Sequence, residues 1–480
     1  MITSERMAAV DRNAAALGVP RKQLMESSGN AVARAVRRVA GAGASVAVVA
    51  GRGNNGGDGL VAARFLDEYD VTVHLLGRPE TIRTRIAREN WDALQAAEHD
   101  ARTVTDSAAL ALGDPEVVVD AMLGTGVTGD LRDPETTAAR AINDATATVV
   151  SVDVPSGVDA DTGEAAGLAV DADHVVTFHD RNPGLDGLDA AVTVEDIGIP
   201  AAAERFVGPG DLLSLDRDPD SHKGDAGEVL VVGGGPYAGA PALAGQAALR
   251  AGADLVRVAC PSSVADAIQG YTENLILGPF DGERFVPDAV DEVLDAADDH
   301  DAVVLGPGLG DHAETETAVR AFLAEYDGVA VVDADALAVV PDVDTDATLV
   351  CTPHQGELRG MGGETEDDWR TRAELVSEFA ADLGHLLLVK GPYDVVSDGD
   401  ETRVNRTGNA AMTVGGTGDV LAGATGALSC VLAPLQAAAV AAYATGRAGE
   451  AAAAERDRGL LATDLLAELP PALRDQGGDE

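Results

Sequence analysis

The chain begins with a helical pattern of apolar residues and then changes to short, continuous apolar runs. Leu24, Val32 and Val36 recur among polar and basic residues, which predicts one or two amphipathic helices up to about residue 39. Residues 44–50 are apolar almost throughout, as expected for a buried strand, and a helical pattern follows from about residue 60. Strand and helix then alternate, so the pattern predicts a mostly parallel sheet.

Loops rich in glycine and aspartate follow three of these predicted strands, at residues 51–59, 120–130 and 153–159. The carboxyl ends of the strands share one edge of an open α/β sheet, so we expect the three loops to converge there. The 51–59 loop joins a strand to a helix and suits a dinucleotide phosphate, although its glycines depart from the G-x-G-x-x-G spacing. The pattern therefore predicts a ligand crevice at this edge.

Three residues of these loops, Asn55, Asp120 and Ser156, carry hard oxygen donors. Such donors suit an alkali or alkaline-earth cation better than zinc. Taken singly, each residue is also explained as a turn or helix N-cap residue, so the case for a cation site depends on their convergence.

The periodicity is lost at about residues 208–220, where glycine, proline and aspartate gather, and this predicts a domain boundary. A chain of 480 residues exceeds the usual size of one hydrophobic core, which also favours two domains. Strands that end in polar loops then recur through the second half. The predicted fold class is α/β, with two doubly wound domains.

The chemistry of the second half centres on residues 409–423. Gly415, Gly416 and Gly418 lack Cβ atoms and expose successive N–H groups just before a predicted helix of small residues. A helix N-terminus of this kind favours a phosphate. Asp419 then places a base beside the anion, which predicts chemistry at a phosphoryl group. The simpler interpretation is a glycine-rich helix start with Asp419 as an ordinary first-turn acid.

Composition narrows the partners. With 34 basic and 81 acidic residues the formal net charge is −47, and such a surface repels nucleic acid and anionic membranes. The acids are dispersed along the chain, which indicates a solvated, halophile-type surface. Lysine occurs only at positions 22, 223 and 390, and we expect Lys223 and Lys390, which fall inside motifs, to serve chemistry there.

Cys260, Cys351 and Cys430 are far apart in the sequence and lack metal-site spacing, which indicates a reducing compartment. The sequence contains no signal-peptide segment and no apolar run long enough to span a membrane. We therefore expect a soluble, cytoplasmic protein with no membrane and no nucleic acid among its partners. The expected assembly is a homo-oligomer.

The motifs Gly-Asn-Asn-Gly-Gly-Asp-Gly, Asp-Ala-Met-Leu-Gly-Thr-Gly and Val-Asp-Val-Pro-Ser-Gly-Val-Asp resemble those of the epimerase domain of the NAD(P)HX repair enzymes, over roughly residues 1–205. The resemblance implies a Rossmann-like fold and a site for a hydrated nicotinamide dinucleotide. The residues implied to hold that ligand are Asn54, Asn55, Gly56, Gly57, Asp58, Gly124, Thr125, Gly126, Val127, Thr128, Gly129 and Asp130. The resemblance also implies that Asn55, Asp120 and Ser156 bind K⁺, and that Asp153 is a catalytic residue contacting the reacting ring.

One departure from the family pattern falls at Asn182. The family usually has Thr-Phe-x-x-x-Lys-x-Gly, whereas this chain has Thr177-Phe-His-Asp-Arg-Asn-Pro-Gly184. Asparagine cannot supply the charge of the lysine, so either Arg181 replaces it or the lysine is not essential.

In the second half, the motifs His-Lys-Gly, Gly-Pro-Gly-Leu-Gly, Thr-Pro-His-Gln-Gly-Glu and Gly-Asn-Ala-Ala-Met-Thr-Val-Gly-Gly-Thr-Gly-Asp resemble the ADP-dependent NAD(P)HX dehydratase domain, over about residues 215–480. The resemblance implies a ribokinase-like fold. The residues implied to contact the hydrated cofactor are Ala253, Gly308, His354 and Asp419. Those implied to hold the adenine nucleotide and its phosphates are Lys390, Gly391, Pro392, Tyr393, Asp394, Gly416, Thr417 and Gly418.

The sequence also allows a structural role for His354 and Gly308, and it departs from the family pattern at Asp394 and Ala411. On spacing alone, His354 is better explained as the cap of the turn that follows it. Gly308 serves equally well to start a helix or to let backbone approach a ligand. Asp394 stands where the family commonly has threonine, and Ala411 where glycine precedes methionine.

Together the two resemblances imply a bifunctional repair enzyme. Its first domain would interconvert the R and S epimers of hydrated NADH or NADPH. Its second would dehydrate the S form, with Mg²⁺ and with ADP, or ATP, as co-substrate. In the implied mechanism Asp419 is the base as the nucleotide phosphorylates the C6 hydroxyl, and phosphate then leaves.

Two alternatives stay open at the level of the sequence. A small-molecule kinase fused to a dinucleotide-sensing domain has nearly the same signature, and a stable phosphorylated product would favour it. A binding or scaffold protein with an inactive first domain is the other, because Asn182 replaces the family lysine. It would bind a dinucleotide without changing the epimer ratio.

The halophile-type charge predicts that stability and activity rise with KCl well beyond physiological ionic strength. A net charge of −47 strains the compact state until screening shortens the Debye length to about 3 Å near 1 M salt. Thermal melting measured from low to molar KCl checks this, and a melting temperature that stays flat or falls would contradict it.

Overall fold

A computed structural model describes residues 1–126, 129–215 and 220–474 of the chain. These residues divide into two compact units, one comprising Met1–Ala203 and the other beginning at Glu204. Within the described residues, no helix is long and apolar enough to cross a membrane.

The first unit contains one seven-stranded, fully parallel sheet with helices on both faces. Its elements are α1 (Ser4–Ala16), α2 (Arg21–Val39), β1 (Ser45–Ala50), α3 (Asn54–Phe65), β2 (Asp70–Leu76), α4 (Arg85–Ala96), β3 (Asp100–Val104), β4 (Val117–Ala121), α5 (Glu135–Asn143), β5 (Thr148–Val152), β6 (His174–Phe178) and β7 (Ala191–Glu195). The strand order is β3-β2-β1-β4-β5-β6-β7. The strands β1, β4 and β5 are therefore neighbours, and their carboxyl ends meet at one edge.

Both faces of this sheet are apolar, as parallel strands require. Val46 and Val48 of β1 belong to the core formed with α2 and α3, whereas Ala47 and Val49 belong to the core on the opposite face, with α5. The structure thus confirms the two amphipathic helices and the parallel sheet that the pattern predicts.

The helix predicted from residue 60 begins six residues earlier, at Asn54. The glycines of the 51–59 loop are the reason, because three of them lie inside the helix at points of close packing. A Cβ on Gly56 would lie 2.1 Å from the Gly51 carbonyl oxygen, and one on Gly59 would lie 2.5 Å from Ala121 Cβ. These glycines set how closely α3 approaches the sheet.

The second unit contains a nine-stranded sheet in the order β10-β9-β8-β11-β12-β13-β14-β15-β16. Helix α6 (Ala201–Arg205) spans the boundary between the units, and the further elements are β8 (Glu228–Val232), α7 (Gly239–Ala251), β9 (Leu255–Pro261), α8 (Ser262–Gln269), β10 (Ile276–Phe280), α9 (Val290–Ala297), β11 (Ala302–Leu305), α10 (Ala313–Glu325), β12 (Val329–Val332), β13 (Thr348–Cys351), α11 (Gln355–Gly360), α12 (Trp369–Leu383), β14 (Leu386–Val389), β15 (Asp394–Ser397), β16 (Thr402–Asn405), α13 (Thr417–Ser429), α14 (Pro434–Arg456) and α15 (Ala462–Ala472). Strands β14, β15 and β16 pair antiparallel, and the other pairs are parallel. The predicted α/β fold class with two doubly wound sheets is confirmed.

Helix α13 packs directly against α7, and small residues make this possible. A Cβ on Gly423 would lie 2.0 Å from the Ala244 carbonyl oxygen, so only glycine fits at that point. On its other side Gly426 packs on Val304 of β11. The helix is therefore fixed between α7 and the sheet, with its first turn at the carboxyl ends of the strands.

Residues 204–215 belong to the second unit and form part of its core. Arg403 of β16 forms a buried ion pair with Asp211, with 2.7 Å between Arg403 Nη2 and Asp211 Oδ1. The Val207 N–H donates to the Val404 carbonyl, and Val207 and Leu212 are buried in the same core as α7 and α13. The assignment of functions to residues 1–205 and 215–480 stays a prediction.

We expect a fragment of residues 204–480 to be markedly more stable than one of residues 216–480. The shorter fragment lacks Asp211, and leaving a buried charge without its partner typically destabilises by about 3–5 kcal/mol. Urea denaturation of both fragments at one high KCl concentration measures the difference. Asp211→Asn in the longer fragment isolates the ion pair, and equal stability of all three would contradict the prediction.

Candidate functional site

A cavity of about 490 Å³ opens in the first unit where β1, β4 and β5 end. This volume is within the range typical of small-molecule sites. The residues of the predicted site that line it are Asn54, Asn55, Asp58, Gly124, Thr125, Gly126 and Asp153. The structure therefore brings the three loops together at the predicted edge.

The three predicted cation ligands lie in one buried network. The Ser156 hydroxyl donates to Asp120 Oδ1 at 2.7 Å, and the Ser156 N–H donates to Asp120 Oδ2 at 2.9 Å. The Asn55 amide nitrogen donates to the Leu123 carbonyl at 2.8 Å, and the same Leu123 N–H donates to Ser156 Oγ at 3.1 Å. Asp120 and Ser156 are fully buried. The pKa of the Asp120 carboxyl is raised by burial, against the lowering effect of its hydrogen bonds to Ser156, Ser151 and Met122.

One oxygen in this network lacks a hydrogen-bond donor. Asn55 Oδ1 is buried, and no described residue donates to it. A buried amide oxygen without a partner is costly, so this atom favours a bound cation or water. Among the residues that the structure describes, no three His, Cys, Asp or Glu side chains are grouped as a metal site. The mixed donor set of Asn55, Asp120 and Ser156 thus fits an alkali cation better than a transition metal.

Asp153 occupies the floor of the cavity in a strained conformation. Its φ is +67°, a left-handed value that is unusual for a residue other than glycine. Its Oδ2 accepts from the Thr125 N–H at 3.1 Å, and a Cβ on Gly124 would lie 2.9 Å from that oxygen. Burial raises the pKa of the Asp153 carboxyl, and the bonds from Thr125 lower it. The geometry therefore presents a buried carboxyl group that holds its proton more tightly than an exposed aspartate does.

Two further carboxyl groups lie near Asp153. The pKa of Asp58 is raised well above its usual range, first by burial and further by Asp153 and Asp11, while the Ser28 hydroxyl lowers it. Burial raises the pKa of Asp11 to about 6, with Arg21 opposing and Asp153 adding to the shift. Asp11 is absent from the predicted site, because it lies in the middle of α1 and the sequence pattern gives it no loop or motif.

Other predicted contacts lie elsewhere. Gly56 and Gly57 are inside α3 and pack on protein, against Gly51 and Met25, and neither lines the cavity. Gly129 and Asp130 also lie outside the cavity lining, and the Asp130 carboxylate packs close to Gly167. Val127 and Thr128 lie outside the described residues. The glycines of the motif therefore shape the site without lining it.

The position of the missing lysine is held by a structural asparagine. Asn182 is 2% exposed, donates to the Ile2 carbonyl at 2.9 Å and lines the cavity. Arg181 does not line the cavity, since its guanidinium donates to the Leu185 carbonyl and pairs with Asp186. Arg181 therefore does not replace the lysine as a cavity group.

In the second unit, the ends of β12, β13 and β14 bring together a lysine and two acids. Lys390 Nζ lies 2.9 Å from Asp333 Oδ1 and 3.9 Å from Glu357 Oε2. The Thr352 hydroxyl also donates to Asp333 Oδ1, at 2.8 Å. Burial lowers the pKa of the Lys390 ammonium, but the carboxylates of Asp333 and Glu357 outweigh this effect, so the pKa is raised. Asp333, Thr352 and Glu357 are absent from the predicted site. Each lies just beyond the end of a strand, and that position in the sequence could have identified them.

Asp419 lies in the first turn of α13, beside this group. The helix begins after Gly416, whose φ of +96° requires glycine, and it has no side-chain cap on its first N–H groups. A Cβ on Gly418 would lie 3.4 Å from Lys390 Nζ, so the lysine lies over the start of the helix. Burial raises the pKa of Asp419 to about 7; Asp333 adds to the shift and Lys390 opposes it. A base, a cation and open N–H groups thus meet at one point.

His354 is confirmed as a helix cap. Its Nδ1 accepts from the N–H groups of Gly356 and Glu357, at 2.9 and 3.0 Å, and the Glu357 carboxylate accepts from the His354 N–H. This capping box starts α11. The imidazole is otherwise exposed at the edge of the site, so a ligand contact through Nε2 stays a prediction.

The glycine loop after β11 packs on protein. A Cβ on Gly308 would lie 2.5 Å from the Tyr237 carbonyl oxygen, and one on Gly306 would lie 1.9 Å from the Asp333 carbonyl oxygen. These close contacts bring the loops after β8, β11 and β12 together.

The structure does not bring Ala253 to this edge, contrary to the prediction that it contacts the hydrated cofactor. Ala253 precedes β9, where Asp254 N–H donates to the Gly227 carbonyl before β8 begins, and it is buried in the core. That point is the amino-terminal edge of the sheet. The reason is an offset of about one helix length, since α7 separates the loop after β8 from Ala253. Ala240, whose Cβ lies near Gly308, is on the predicted edge instead.

The segment Lys390–Asp394 forms a tight turn that is closed by the side chain of Asp394. Asp394 Oδ1 accepts from the Gly391 N–H at 2.9 Å, and its Oδ2 accepts from the Asn405 amide at 2.9 Å. Burial raises the pKa of Asp394 to about 6. Tyr393 stacks on Trp369 with 5.6 Å between ring centroids. Asp394 therefore fixes the turn, while the exposed Pro392 and the backbone are left to meet a ligand.

Comparison with known proteins places this geometry in context. Residues 21–184 match the family model described as YjeF-related protein N-terminus, and residues 229–471 match the one described as NAD(P)H-hydrate dehydratase. The chain is 45% identical to the bifunctional NAD(P)H-hydrate repair enzyme Nnr of Pyrobaculum aerophilum, over 98% of each chain. It is 43% identical to the enzyme of the same name from Methanothermobacter thermautotrophicus, over 98% of this chain and 95% of the relative.

Among solved structures, the ADP/ATP-dependent NAD(P)H-hydrate dehydratase of Bacillus subtilis, co-crystallised with ATP and Mg²⁺, is similar to the second half. The match has a TM-score of 0.50 and 29% identity, and it covers 56% of this chain and 97% of the other. The similarity supports the ribokinase-like fold of the second unit.

Proposed function

The chain belongs to the family of bifunctional NAD(P)H-hydrate repair enzymes, and we propose that its two units divide the two activities between the sites described above. The cavity of the first unit interconverts the R and S epimers of hydrated NADH or NADPH. The edge around Asp419 dehydrates the S form. Family membership at this identity favours this function over the kinase and scaffold alternatives.

In the first unit, Asp153 is the proposed catalytic group. It lines the cavity, is held by the Thr125 N–H, and has a raised pKa, so it can hold or release a proton beside the reacting ring. The strained backbone at Asp153 is typical of functional sites. The other residues proposed to surround the dinucleotide are Asn54, Asn55, Asp58, Gly124, Thr125 and Gly126.

A potassium ion is proposed at the network of Asn55, Asp120 and Ser156. The unpartnered Asn55 Oδ1 and the buried Asp120 carboxylate supply the negative potential that such an ion requires. The ion would neutralise buried charge beneath the cavity and fix the loops that carry Gly124 and Ser156. It supplies this electrostatic support when bound, and the proton is moved by the side chains of the chain itself.

In the second unit, Asp419 is proposed to accept the proton of the C6 hydroxyl as the terminal phosphoryl group of ADP is transferred to that oxygen. The N–H groups of Thr417 and Gly418 and the Lys390 ammonium stabilise the charge on the phosphoryl group. This transfer releases AMP. Phosphate then leaves C6 with the electron pair of the C–O bond, and the adjacent ring carbon loses a proton to water, which restores the double bond. The net reaction removes water from the substrate as inorganic phosphate.

The residues present also bear on Mg²⁺. Lys390 lies 2.9 Å from Asp333 and 3.9 Å from Glu357, so a cation of the chain itself already occupies the position between these two acids. Mg²⁺ characteristically binds through nucleotide phosphates and water with few protein ligands. We therefore propose that it arrives with the nucleotide. A homo-oligomeric assembly and the choice of ADP over ATP stay predictions.

We expect Asp120→Asn to raise the K⁺ concentration that half-saturates epimerisation by at least about tenfold, because it removes the charge but keeps the size of a supporting ligand. Ionic strength is held constant with NaCl, so that general screening of the acidic surface does not change. Dehydration of the pure S epimer by the same protein is the internal control. Equal loss of both activities, or an unchanged K⁺ response, would contradict the cation assignment.

Asp419→Asn is expected to lower nucleotide-dependent dehydration by about 10² to 10⁴, the usual effect of losing a positioned base. In the native protein kcat/KM should rise through about pH 7, where Asp419 loses its proton, and this rise should vanish in the variant.

Stability gives the matching control. A carboxyl whose pKa is raised by folding destabilises the fold as pH rises from its unfolded value to about 7, so Asp419→Asn should be at least as stable as the native protein at pH 8. R-to-S interconversion should persist. Near-native dehydration would show that Asp419 is only a first-turn acid.

A further inference from the structure

Three arginines line the cavity of the first unit, Arg21, Arg52 and Arg83, and the proposed chemistry uses neither Arg52 nor Arg83. Arg52 lies in the loop between β1 and α3, and Arg83 lies between β2 and α4. The Arg83 N–H donates to the Arg52 carbonyl at 2.8 Å, so the two positions are tied together through the backbone. Both residues line the same cavity.

The guanidinium groups of Arg52 and Arg83 are available to a ligand. Within the described ranges, neither forms a hydrogen bond or ion pair with a protein acid. Acidic residues outnumber basic ones in this chain, 81 to 34, so carboxylate partners are plentiful. Other arginines of the same unit do find carboxylates, as Arg37 does with Glu68 and Arg102 with Asp100. Two unpaired arginines in a cavity favour an anionic ligand.

The acids of the cavity interact with one another and with Arg21. The pKa of Asp11 is moved by burial, Arg21, Asp153 and His179, and that of Asp58 by burial, Ser28, Asp153 and Asp11. Arg52 and Arg83 are not among these groups. Arg52 lies at the end of β2, whereas Asp153 follows β5, and β1 and β4 lie between these two strands in the sheet. The basic region is therefore separate from the acid beside which the reacting ring is proposed to bind.

The basic region lies at the carboxyl end of β2. A Cβ on Gly77, which follows β2 directly, would lie 2.9 Å from Arg52 Cδ, so the arginine side chain crosses this strand end. In doubly wound dinucleotide sites the ribose next to the adenine is recognised at this strand end, by an acid for a free 2′-hydroxyl or by an arginine for a 2′-phosphate. Here Gly77, Arg78 and Pro79 provide no acid, and Glu80 does not line the cavity.

We propose that Arg52 and Arg83 bind a phosphate group of the hydrated dinucleotide and act as specificity residues of the epimerase site. This inference rests on the proposed function of the first unit. The phosphate is either the 2′-phosphate of hydrated NADPH or the diphosphate common to both hydrates. The position at the β2 end favours the 2′-phosphate, so the first unit is expected to prefer hydrated NADPH.

The test compares Arg52→Gln and Arg83→Gln with Arg85→Gln in the full chain at constant salt. Arg85 is a matched control, since it lies two residues from Arg83, is exposed, pairs with Glu89 and does not line the cavity. Epimerisation of hydrated NADPH and of hydrated NADH is measured separately. Loss of a charge-assisted hydrogen bond should raise KM about tenfold or more, with kcat nearly unchanged. Arg83→Lys should recover part of the loss.

The outcomes separate the two phosphates. A loss confined to hydrated NADPH supports the 2′-phosphate, and an equal loss with both hydrates supports the diphosphate. The proposal is overturned if both glutamine variants behave as Arg85→Gln does, or if kcat falls while KM stays the same.

Calorimetric binding of NADP⁺ and NAD⁺ provides a readout that is independent of turnover. If the native protein fails to change the epimer ratio of either hydrate, the proposed function fails. The binding measurement still tests the arginines in that case. If Arg52→Gln and Arg83→Gln bind NADP⁺ more weakly than Arg85→Gln does, the proposed phosphate contacts are supported. Binding equal to that of Arg85→Gln overturns them. Melting temperatures identify a variant that has lost its fold. The proposal is then judged on the other glutamine variant.

Discussion

Both sites depend on carboxyl groups that are held where water is scarce. In the first unit Asp153 lies with Asp58 and Asp11 at one cavity, and in the second Asp419 lies near Asp333. Burial disfavours the charged form of each group, so protons bind more tightly than they do in water. Such an arrangement costs stability, and it persists because rigid strands and helix starts fix the backbone around it. For Asp419 this burial places the pKa at about 7, where the group can exchange a proton near neutral pH.

The two units meet this constraint with different positive groups. In the second unit Lys390 is bound directly to Asp333, and its charge also opposes the pKa shift of Asp419. In the first, Asp120 accepts hydrogen bonds from hydroxyl and backbone donors, and a small cation is proposed to bind the unpartnered Asn55 oxygen. A fixed ammonium suits a site that receives phosphate. An exchangeable cation suits a site whose reaction moves only a proton.

Because the protein is strongly acidic, positively charged side chains at the two sites indicate where an anionic ligand can bind. A surface of net charge −47 repels anionic dinucleotides at long range, so binding requires local positive potential. Lys390 and the start of α13 are proposed to supply it in the second unit, and Arg52 and Arg83 in the first. Molar salt weakens the long-range repulsion more than it weakens contacts inside a cavity, because screening acts mainly on exposed charges. Salt is therefore expected to help both the fold and the approach of the ligand.

The sequence by itself determined the alternation of strands and helices, the α/β class and the loops that carry chemistry, because parallel strands are continuous apolar runs and their exits share an edge. The positions of Asn55, Asp120 and Ser156 at one sheet edge, and of Asp419 at a helix start, were predicted this way, whereas Asp153 was singled out by the family resemblance. The sequence could not locate Asp11, Asp333 or Arg83 at the sites, nor show that Ala253 lies on the opposite edge. Those placements depend on which strands are neighbours and on how closely glycines let backbones approach. Only the tertiary structure decided them, because pKa shifts and unpaired charges arise from groups that are distant in sequence and adjacent in space.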